Sequence, residues 1–125
     1  MSELLRGVVV CHGPLAAGLV EAVQLISGVR DALVAVSNDG CDRGSLEARI
    51  EAAVGSGPAL VFVDMASGSC LVAALRRLRA REDVGVVTGV NLAMLLDFVF
   101  NREGPADVAA ARAVEAGGRA IGVSA

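Results

Sequence analysis

The sequence predicts an α/β fold: an open, doubly wound sheet of mostly parallel strands between two layers of helices. Short apolar runs rich in valine alternate with longer segments whose apolar residues recur every three or four positions, a pattern typical of strands separated by helices. Glycine and proline stand at many of the junctions. Hydrophobic residues make up 54% of the 125 residues, so we expect one domain with a real core, covering residues 1–125.

The first strand and helix are predicted at 5–11 and 15–27. A run of β-branched residues indicates a buried strand. The strand runs into His12, the only histidine of the chain. Gly13 then allows a tight turn, and Pro14 suits the start of a helix. Apolar residues spaced four, four and three positions apart form one face of that helix: Leu15, Leu19, Val23 and Ile26.

The second and third strands are predicted at 32–37 and 59–63, because both are short apolar runs bounded by turn residues. Between them, apolar residues every four positions predict a helix at 43–54, with Ser45 as its cap. The third strand ends at Asp64, another polar residue directly after a buried run.

The rest of the chain continues the alternation. Apolar periodicity defines its helices, and a Gly-Pro pair and a Gly-Gly pair separate its last elements. The predicted elements are a helix capped by Ser69 and ending near Arg81, a strand at 84–88, a helix at 92–100 capped by Asn91, a helix at 106–116, and a short closing strand at 119–123.

His12 and Asp64 follow strands that we expect to be neighbours. With the strand order 2-1-3-4, strands 1 and 3 adjoin where the order reverses, which is where such sheets bind ligands. A carboxylate that accepts from one imidazole nitrogen fixes the tautomer and leaves the lone pair of the other nitrogen free to attack. Amide groups at the helix starts after Gly13 and Gly68, together with the Ser69 hydroxyl, could hold an incoming phosphoryl group.

Other interpretations of these residues stay open. His12 could be a structural histidine bonded to a backbone carbonyl, while Asp64 and Ser69 could be plain helix caps. The chain would then be an interaction module that works without phosphorylation.

A metal-binding site is an alternative from another class of function. Cys11, Cys41 and Cys70 lie near strand-to-helix connections at the edge that carries His12, and cysteine, histidine and aspartate all ligate zinc. Their spacing matches no compact zinc pattern, and strand alternation predicts that Cys11 points away from His12.

Composition argues against several function classes. The net charge of -3 and the absence of Trp and Tyr disfavour a nucleic-acid partner. All eleven basic residues are arginine, which excludes a lysine-dependent phosphate loop and Schiff-base chemistry. No apolar run reaches the roughly 18 residues of a membrane span. Because the N-terminus also lacks the features of a signal peptide, we expect a cytoplasmic protein.

Three sequence blocks stand out in order along the chain. Residues 7–19 are GVVVCHGPLAAGL, residues 62–69 are FVDMASGS, and residues 88–95 are TGVNLAML. These blocks resemble the mannose-family IIA domain of the bacterial phosphoenolpyruvate-dependent sugar phosphotransferase system (PTS). The family's corresponding patterns are a strand followed by Thr-His-Gly and Leu-Ala-x-Gly-Leu, then Asp-Leu-x-Gly-Gly-Ser-Pro, then Thr-Gly-Val-Asn-Leu-Pro-Met-Leu.

The resemblance implies that His12 accepts a phosphoryl group from the phosphohistidine of the carrier HPr and passes it to a IIB domain. Asp64 would be the carboxylate partner of the imidazole, and Ser69 a neighbour in the pocket. The resemblance implies no metal and no organic cofactor. It also implies a homodimer that exchanges its closing strands at 119–123, and contact with a membrane only through a permease complex.

The chain departs from the family pattern at five positions, three of them in or beside the second block. The substitutions are Cys11 for Thr, Ser67 for Gly, Cys70 for Pro, Val72 for Asn, and Ala93 for Pro. None of them removes His12 or Asp64. They bear on the geometry of the loop, the choice of partner and the role in sugar transport, so a purely regulatory phosphocarrier is an alternative role.

Overall fold

Strands and helices alternate from β1 to α4 in the computed structural model, which describes residues 3–124. The strands are β1 (Arg6–Cys11), β2 (Leu33–Ser37), β3 (Ala59–Val63) and β4 (Val84–Val87). The helices are α1 (Leu15–Ser27), α2 (Arg43–Val54), α3 (Ser69–Leu78), α4 (Leu92–Val99) and α5 (Ala106–Arg119). The α/β class is confirmed.

The strands form a parallel sheet in the order β2-β1-β3-β4, as predicted. β1 is central: Val9 pairs with Ala35 of β2 on one side and with Phe62 of β3 on the other. Because the chain order reverses between β1 and β3, the carboxyl ends of these two strands border the crevice in which such sheets bind ligands.

Two core layers cover the two faces of the sheet. On one face, Val9 packs in a cluster with buried residues of α1, α4 and α5. On the other, Val8 and Val10 pack with buried residues of α2 and α3. Each fully buried valine or leucine contributes about 1.5–3 kcal/mol to folding. The core is mainly aliphatic, with one edge-to-face aromatic pair, Phe62 and Phe98, whose ring centroids are 5.2 Å apart.

The cap of α2 differs from the prediction. The carboxylate of Asp42 accepts from the backbone N–H of Ser45 at 2.8 Å, so Asp42 is the N-cap and Ser45 lies inside the helix. Asp42 has the extended backbone that a cap requires, and its side chain reaches the third helical amide.

The start and end of α3 also differ from the prediction. Gly68 occupies the N-cap, Ser69 is the first helical residue, and α3 has no side-chain cap hydrogen bond within residues 3–124. The helix ends at Leu78 rather than near Arg81. Arg81 instead donates to the carbonyl oxygens of Gly55 and Gly57 and to the carboxylate of Asp83. These bonds anchor the Arg81 side chain in the turn before β4, beyond the end of the helix.

The single chain does not form the predicted closing strand at 119–123. α5 runs on to Arg119, and residues 120–124 lie outside any helix or strand. Gly117 explains the longer helix: Asn91 donates to its carbonyl oxygen at 3.0 Å, and a Cβ at this position would lie 2.9 Å from Met94. Close packing of α5 on α4 therefore holds the Gly-Gly pair in the helix.

Within residues 3–124, no helix has the length and apolar character needed to cross a membrane.

Candidate functional site

The turn after β1 is held by the end of β2. Gly13 has φ 59°, a left-handed conformation that favours glycine. Its N–H donates to the side-chain oxygen of Asn38 at 3.1 Å, and its carbonyl oxygen accepts from the Ser37 hydroxyl at 2.8 Å. The Asn38 N–H donates to the carbonyl oxygen of Cys11 at 3.3 Å. Together these bonds position His12 as the chain leaves the sheet.

Asp64 contacts His12 twice through one oxygen. Its Oδ2 accepts from the His12 backbone N–H at 2.9 Å and lies 2.8 Å from Nδ1 of the ring. The strand register brings the two residues together, because Val10 pairs with Val63 and the two strands end side by side. The His12 side chain is 41% exposed, whereas that of Asp64 is 10% exposed.

The carboxylate decides which nitrogen of the ring is free. Because a carboxylate oxygen only accepts, Nδ1 of the neutral ring carries the proton. Nε2 therefore has the lone pair, and the partly exposed ring can present it to a reaction partner. Chemically, this arrangement suits attack by Nε2 while the carboxylate holds the ring in one orientation.

The hydrogen bonds from His12 keep Asp64 ionised. Burial raises the pKa of Asp64, but the backbone and ring N–H groups of His12 outweigh it, so the pKa lies below the usual 3.8. The second oxygen, Oδ1, is buried and has no hydrogen-bond partner among the described residues. A buried carboxylate oxygen without a partner is costly, so the two bonds that Oδ2 accepts from His12 carry the stabilisation of this carboxylate.

The loop between β3 and α3 lies against the ring. Gly68 has φ 96°, and a Cβ built on it would lie 3.8 Å from Cε1 and 3.9 Å from Nε2 of His12. Ser69 is exposed and lines a pocket of about 210 Å³ that also includes Cys41 at the start of α2. The first amide groups of a helix have no carbonyl partner within it, so the positive end of α3 lies near the imidazole.

Cys70 is a third neighbour of the ring, in the first turn of α3. Its Sγ is buried and lies 3.8 Å from Nδ1 of His12. Burial raises the pKa of this thiol to about 11, and the charge on Asp64 acts in the same direction. The thiol therefore keeps its proton at neutral pH.

The other two cysteines lie outside this group. Cys11 points into the core layer of α1, α4 and α5, as strand alternation predicts, and burial raises its pKa to about 12. Cys41 packs against the opposite core layer. Within residues 3–124, one group of three potential metal ligands exists: His12, Asp64 and Cys70, whose ligand atoms all lie within 4.8 Å of one another.

Sequence reasoning does not indicate the roles of Ser37 and Asn38. The turn signal at 38–40 predicts only a change of chain direction. The predicted strand order could have indicated these roles, because it places the end of β2 beside the end of β1. A polar residue at the end of β2 is then within reach of the turn that carries His12.

A comparison with known protein families identifies the family of this chain. A family model described as EIIA-man, PTS system fructose IIA component, matches residues 7–115. The chain belongs to this family. As an EIIA-man protein it is a IIA component of the PTS, which indicates a general transferase role in a phosphoryl relay linked to sugar transport. Among curated proteins, no match to the chain is found.

Solved structures share the fold of this EIIA-man protein at low sequence identity. PTS component EIIA from Streptococcus agalactiae has a TM-score of 0.89 and 20% identity, covering 96% of this chain and 97% of that one. The mannose/sorbose-specific IIA subunit from Enterococcus faecalis has 0.84 and 22%, covering 98% and 96%. The PTS IIA protein associated with the fucose utilization operon of Streptococcus pneumoniae has 0.81 and 20%, covering 98% and 96%.

Proposed function

We propose that this EIIA-man protein is a phosphocarrier in which Nε2 of His12 accepts a phosphoryl group from phospho-HPr and passes it to a IIB domain. One observation carries the proposal: Nδ1 of His12 lies 2.8 Å from the carboxylate of Asp64, on a ring that is 41% exposed. That pairing orients the imidazole and leaves its other nitrogen free to attack.

The transfer requires only the ring and its carboxylate partner. The Nε2 lone pair of His12 attacks phosphorus, and an N–P bond forms while the N–P bond of the donor phosphohistidine breaks. The bonding electrons return to the donor ring. The substituted His12 ring has cationic character with its proton still on Nδ1, so the ionised Asp64 stabilises it. A nucleophile of the IIB domain then attacks phosphorus, the bond between Nε2 and phosphorus breaks, and its electrons return to the ring, which restores neutral His12.

The phosphoryl oxygens would lie at the amino ends of two helices. We assign the receiving groups to the chain around Gly13, before α1, and around Gly68 and Ser69, at the start of α3. The closeness of Gly68 to Nε2 supports this for α3, because free amide groups and the helix dipole favour an anion there. The Gly13 amide would have to leave the oxygen of Asn38, to which it now donates.

We further propose that the protein is a homodimer in which the chain after α5 pairs with the second subunit. Residues 120–124 lie outside helices and strands, and Ile121 and Val123 are 76% and 92% exposed. Two large apolar side chains on an irregular segment favour coverage by a partner. Light scattering on the full chain and on a variant with both residues changed to Ser tests this, since only the former should have the mass of a dimer.

Phosphorylation is tested directly by incubating the chain with phosphoenolpyruvate, enzyme I and HPr. We expect an acid-labile, base-stable adduct of one phosphoryl group on the wild type, seen by intact mass, and none on His12→Gln. No adduct on the wild type, or an equal adduct on the variant, would refute the proposal. Transfer from the labelled protein to a purified IIB domain then tests the second step.

A further inference from the structure

We propose that His12, Asp64 and Cys70 also form a binding site for Zn²⁺, and that the bound ion prevents phosphorylation of His12. The first part concerns the three side chains alone. The second part, the block, rests on the proposed phosphocarrier function. Cys70 stands where the family pattern quoted above has a proline, so the site depends on a residue that departs from that pattern.

The distances between the three side chains suit a zinc ion. Sγ of Cys70 lies 3.8 Å from Nδ1 of His12, and Nδ1 lies 2.8 Å from Oδ2 of Asp64. In a tetrahedral site with bonds of about 2.0 Å to nitrogen or oxygen and about 2.3 Å to sulfur, ligand atoms lie roughly 3.3–3.6 Å apart, the larger value applying when one of them is sulfur. The sulfur therefore has to move by only a few tenths of an ångström relative to Nδ1, and all three ligand atoms lie within 4.8 Å of one another. The hydrogen-bonded pair has to open by about half an ångström when an ion replaces its proton.

The second oxygen of Asp64 would gain from a positive ion nearby. Oδ1 is buried and has no hydrogen-bond partner within the described part of the chain, on a side chain that is only 10% exposed. Oδ2 already accepts two hydrogen bonds from His12. An ion held by Oδ2 in place of the Nδ1 proton brings its positive charge close to Oδ1 as well, and it leaves the bond from the His12 backbone in place.

The ligand types favour zinc over harder ions. Thiolate and imidazole ligands select zinc and related metals, whereas Mg²⁺ and Ca²⁺ take oxygen ligands. Three protein ligands leave the fourth position of the ion open for water.

Zinc and the phosphoryl group exclude each other because neutral imidazole has a single lone pair. An ion on Nδ1 of His12 uses that pair, the ring proton moves to Nε2, and Nε2 can no longer attack phosphorus. Cys70 loses its thiol proton to solvent, while Asp64 is already ionised, so one proton is released for each ion bound. Conversely, a ring phosphorylated on Nε2 keeps its proton on Nδ1 and offers no lone pair to zinc, as linkage requires.

Binding is tested on the full chain with Co²⁺ and Zn²⁺ as probes. We expect one equivalent of Co²⁺ to produce a thiolate-to-cobalt charge-transfer band that Zn²⁺ abolishes. Cys70→Ala and Cys70→Ser should both lose the band and bind Zn²⁺ at least about tenfold more weakly, since even outer-sphere partners of a metal are worth about 10–100-fold in affinity. Cys41→Ser is the matched control and should bind like the wild type, because Cys41 lies outside the group.

The block is tested by labelling with phosphoenolpyruvate, enzyme I and HPr, with and without one equivalent of Zn²⁺. HPr pre-labelled and freed of enzyme I is the donor in a second series, which removes any effect of zinc on that enzyme. We expect zinc to suppress labelling of the wild type and of Cys41→Ser, and not of Cys70→Ala.

The outcomes separate this inference from the proposed function. Absence of the cobalt band, or a band that persists in both Cys70 variants, overturns the zinc site even if His12 is labelled normally. A zinc-bound protein that is labelled at the zinc-free rate overturns the block. If Cys70-dependent binding is found but the wild type is never labelled without zinc, the zinc site stands and the phosphocarrier function fails.

Discussion

The two loops that form the site are supported in different ways. The turn after β1 is tied to β2 by hydrogen bonds from Ser37 and Asn38, which hold Gly13 from both sides. The loop after β3 has exposed residues from 65 to 69, and its contact with the ring is made by Gly68. His12 therefore stands on a turn that is tied to the sheet, whereas Asp64 begins a segment that faces solvent.

This difference matches the pattern of departures from the family sequence. Most of the changes in and around the site fall in or beside the second block, where Ser67 and Cys70 replace a glycine and a proline. A turn bound on both sides tolerates few substitutions, while an exposed loop tolerates many as long as Asp64 stays in place. Cys70, in the first turn of α3 directly after this loop, can therefore depart from the quoted family pattern without moving His12.

The largest effect should come from removing the charge of Asp64. Asp64→Asn should slow phosphoryl transfer by about 10²-fold, because a neutral amide stabilises the substituted ring less and no longer fixes its tautomer. Initial rates of labelling by phospho-HPr measure this. Asp39→Asn, the same change on an exposed residue of the β2–α2 turn, is the control. Equal rates in the two variants would show that Asp64 only caps the loop.

Adding a side chain to Gly68 disturbs the exposed loop itself. Gly68 has φ 96° and ψ -178°, a region that only glycine adopts readily, so Gly68→Ala should cost about 1–3 kcal/mol. We expect the loop to move off the ring and the labelling rate to fall about tenfold, since 1.36 kcal/mol corresponds to tenfold in rate. Gly104→Ala, with φ 88° in the α4–α5 connection, should lower the melting temperature and leave labelling intact.

Removing the support from β2 tests the fixed turn. Asn38→Ala leaves the Gly13 amide without its acceptor, a loss of about 1 kcal/mol. If the whole loss adds to the activation free energy of phosphoryl transfer, labelling slows about fivefold. Asn101→Ala is the control. It removes a comparable hydrogen bond just after α4, which the Asn101 side chain donates to the carbonyl oxygen of Asp97. A rate drop of the same size in Asn101→Ala would mean that the turn after β1 needs no help from β2.

The smallest effect concerns stability and pH. The pKa of Asp64 in the folded protein is lowered from 3.8, so its charge contributes stability above that value and loses the contribution as pH falls through the folded pKa. The difference in free energy of unfolding between wild type and Asp64→Asn should therefore be largest at neutral pH and shrink below about pH 4. Urea unfolding at several pH values measures it. A difference that grows toward low pH contradicts the assigned hydrogen bonds.

Much of the fold could be predicted because its signals are local. The valine run of β1 and the four-residue spacing in α1 indicate which faces are buried. The observed bounds of this strand and this helix differ from the predicted ones by at most one residue. Element ends were harder. Ser45 and Asp42 are both good caps by type, and only the backbone conformation of Asp42 decides between them. Arg81 leaves α3 for carbonyl oxygens of another loop, which no periodicity reveals.

The tail after α5 shows where local rules mislead. Gly117 and Gly118 are poor helix formers and predict a break before a strand. In the structure, Gly117 lies where α5 meets α4, and the absence of a side chain there allows the close contact with Met94. Tertiary packing therefore outweighs the propensity of the pair.

The sequence by itself determined the α/β sheet, the strand order and the edge at which His12 and Asp64 would meet. It could do so because parallel strands joined by helices bring their carboxyl ends to one edge. Only the tertiary structure decided that the carboxylate faces Nδ1, that Asn38 holds the turn, and that Cys70 rather than Cys11 or Cys41 reaches the ring. Those contacts join residues as many as 58 positions apart. Ångström-scale distances between them depend on how the helices pack on the sheet, which hydrophobic periodicity does not specify.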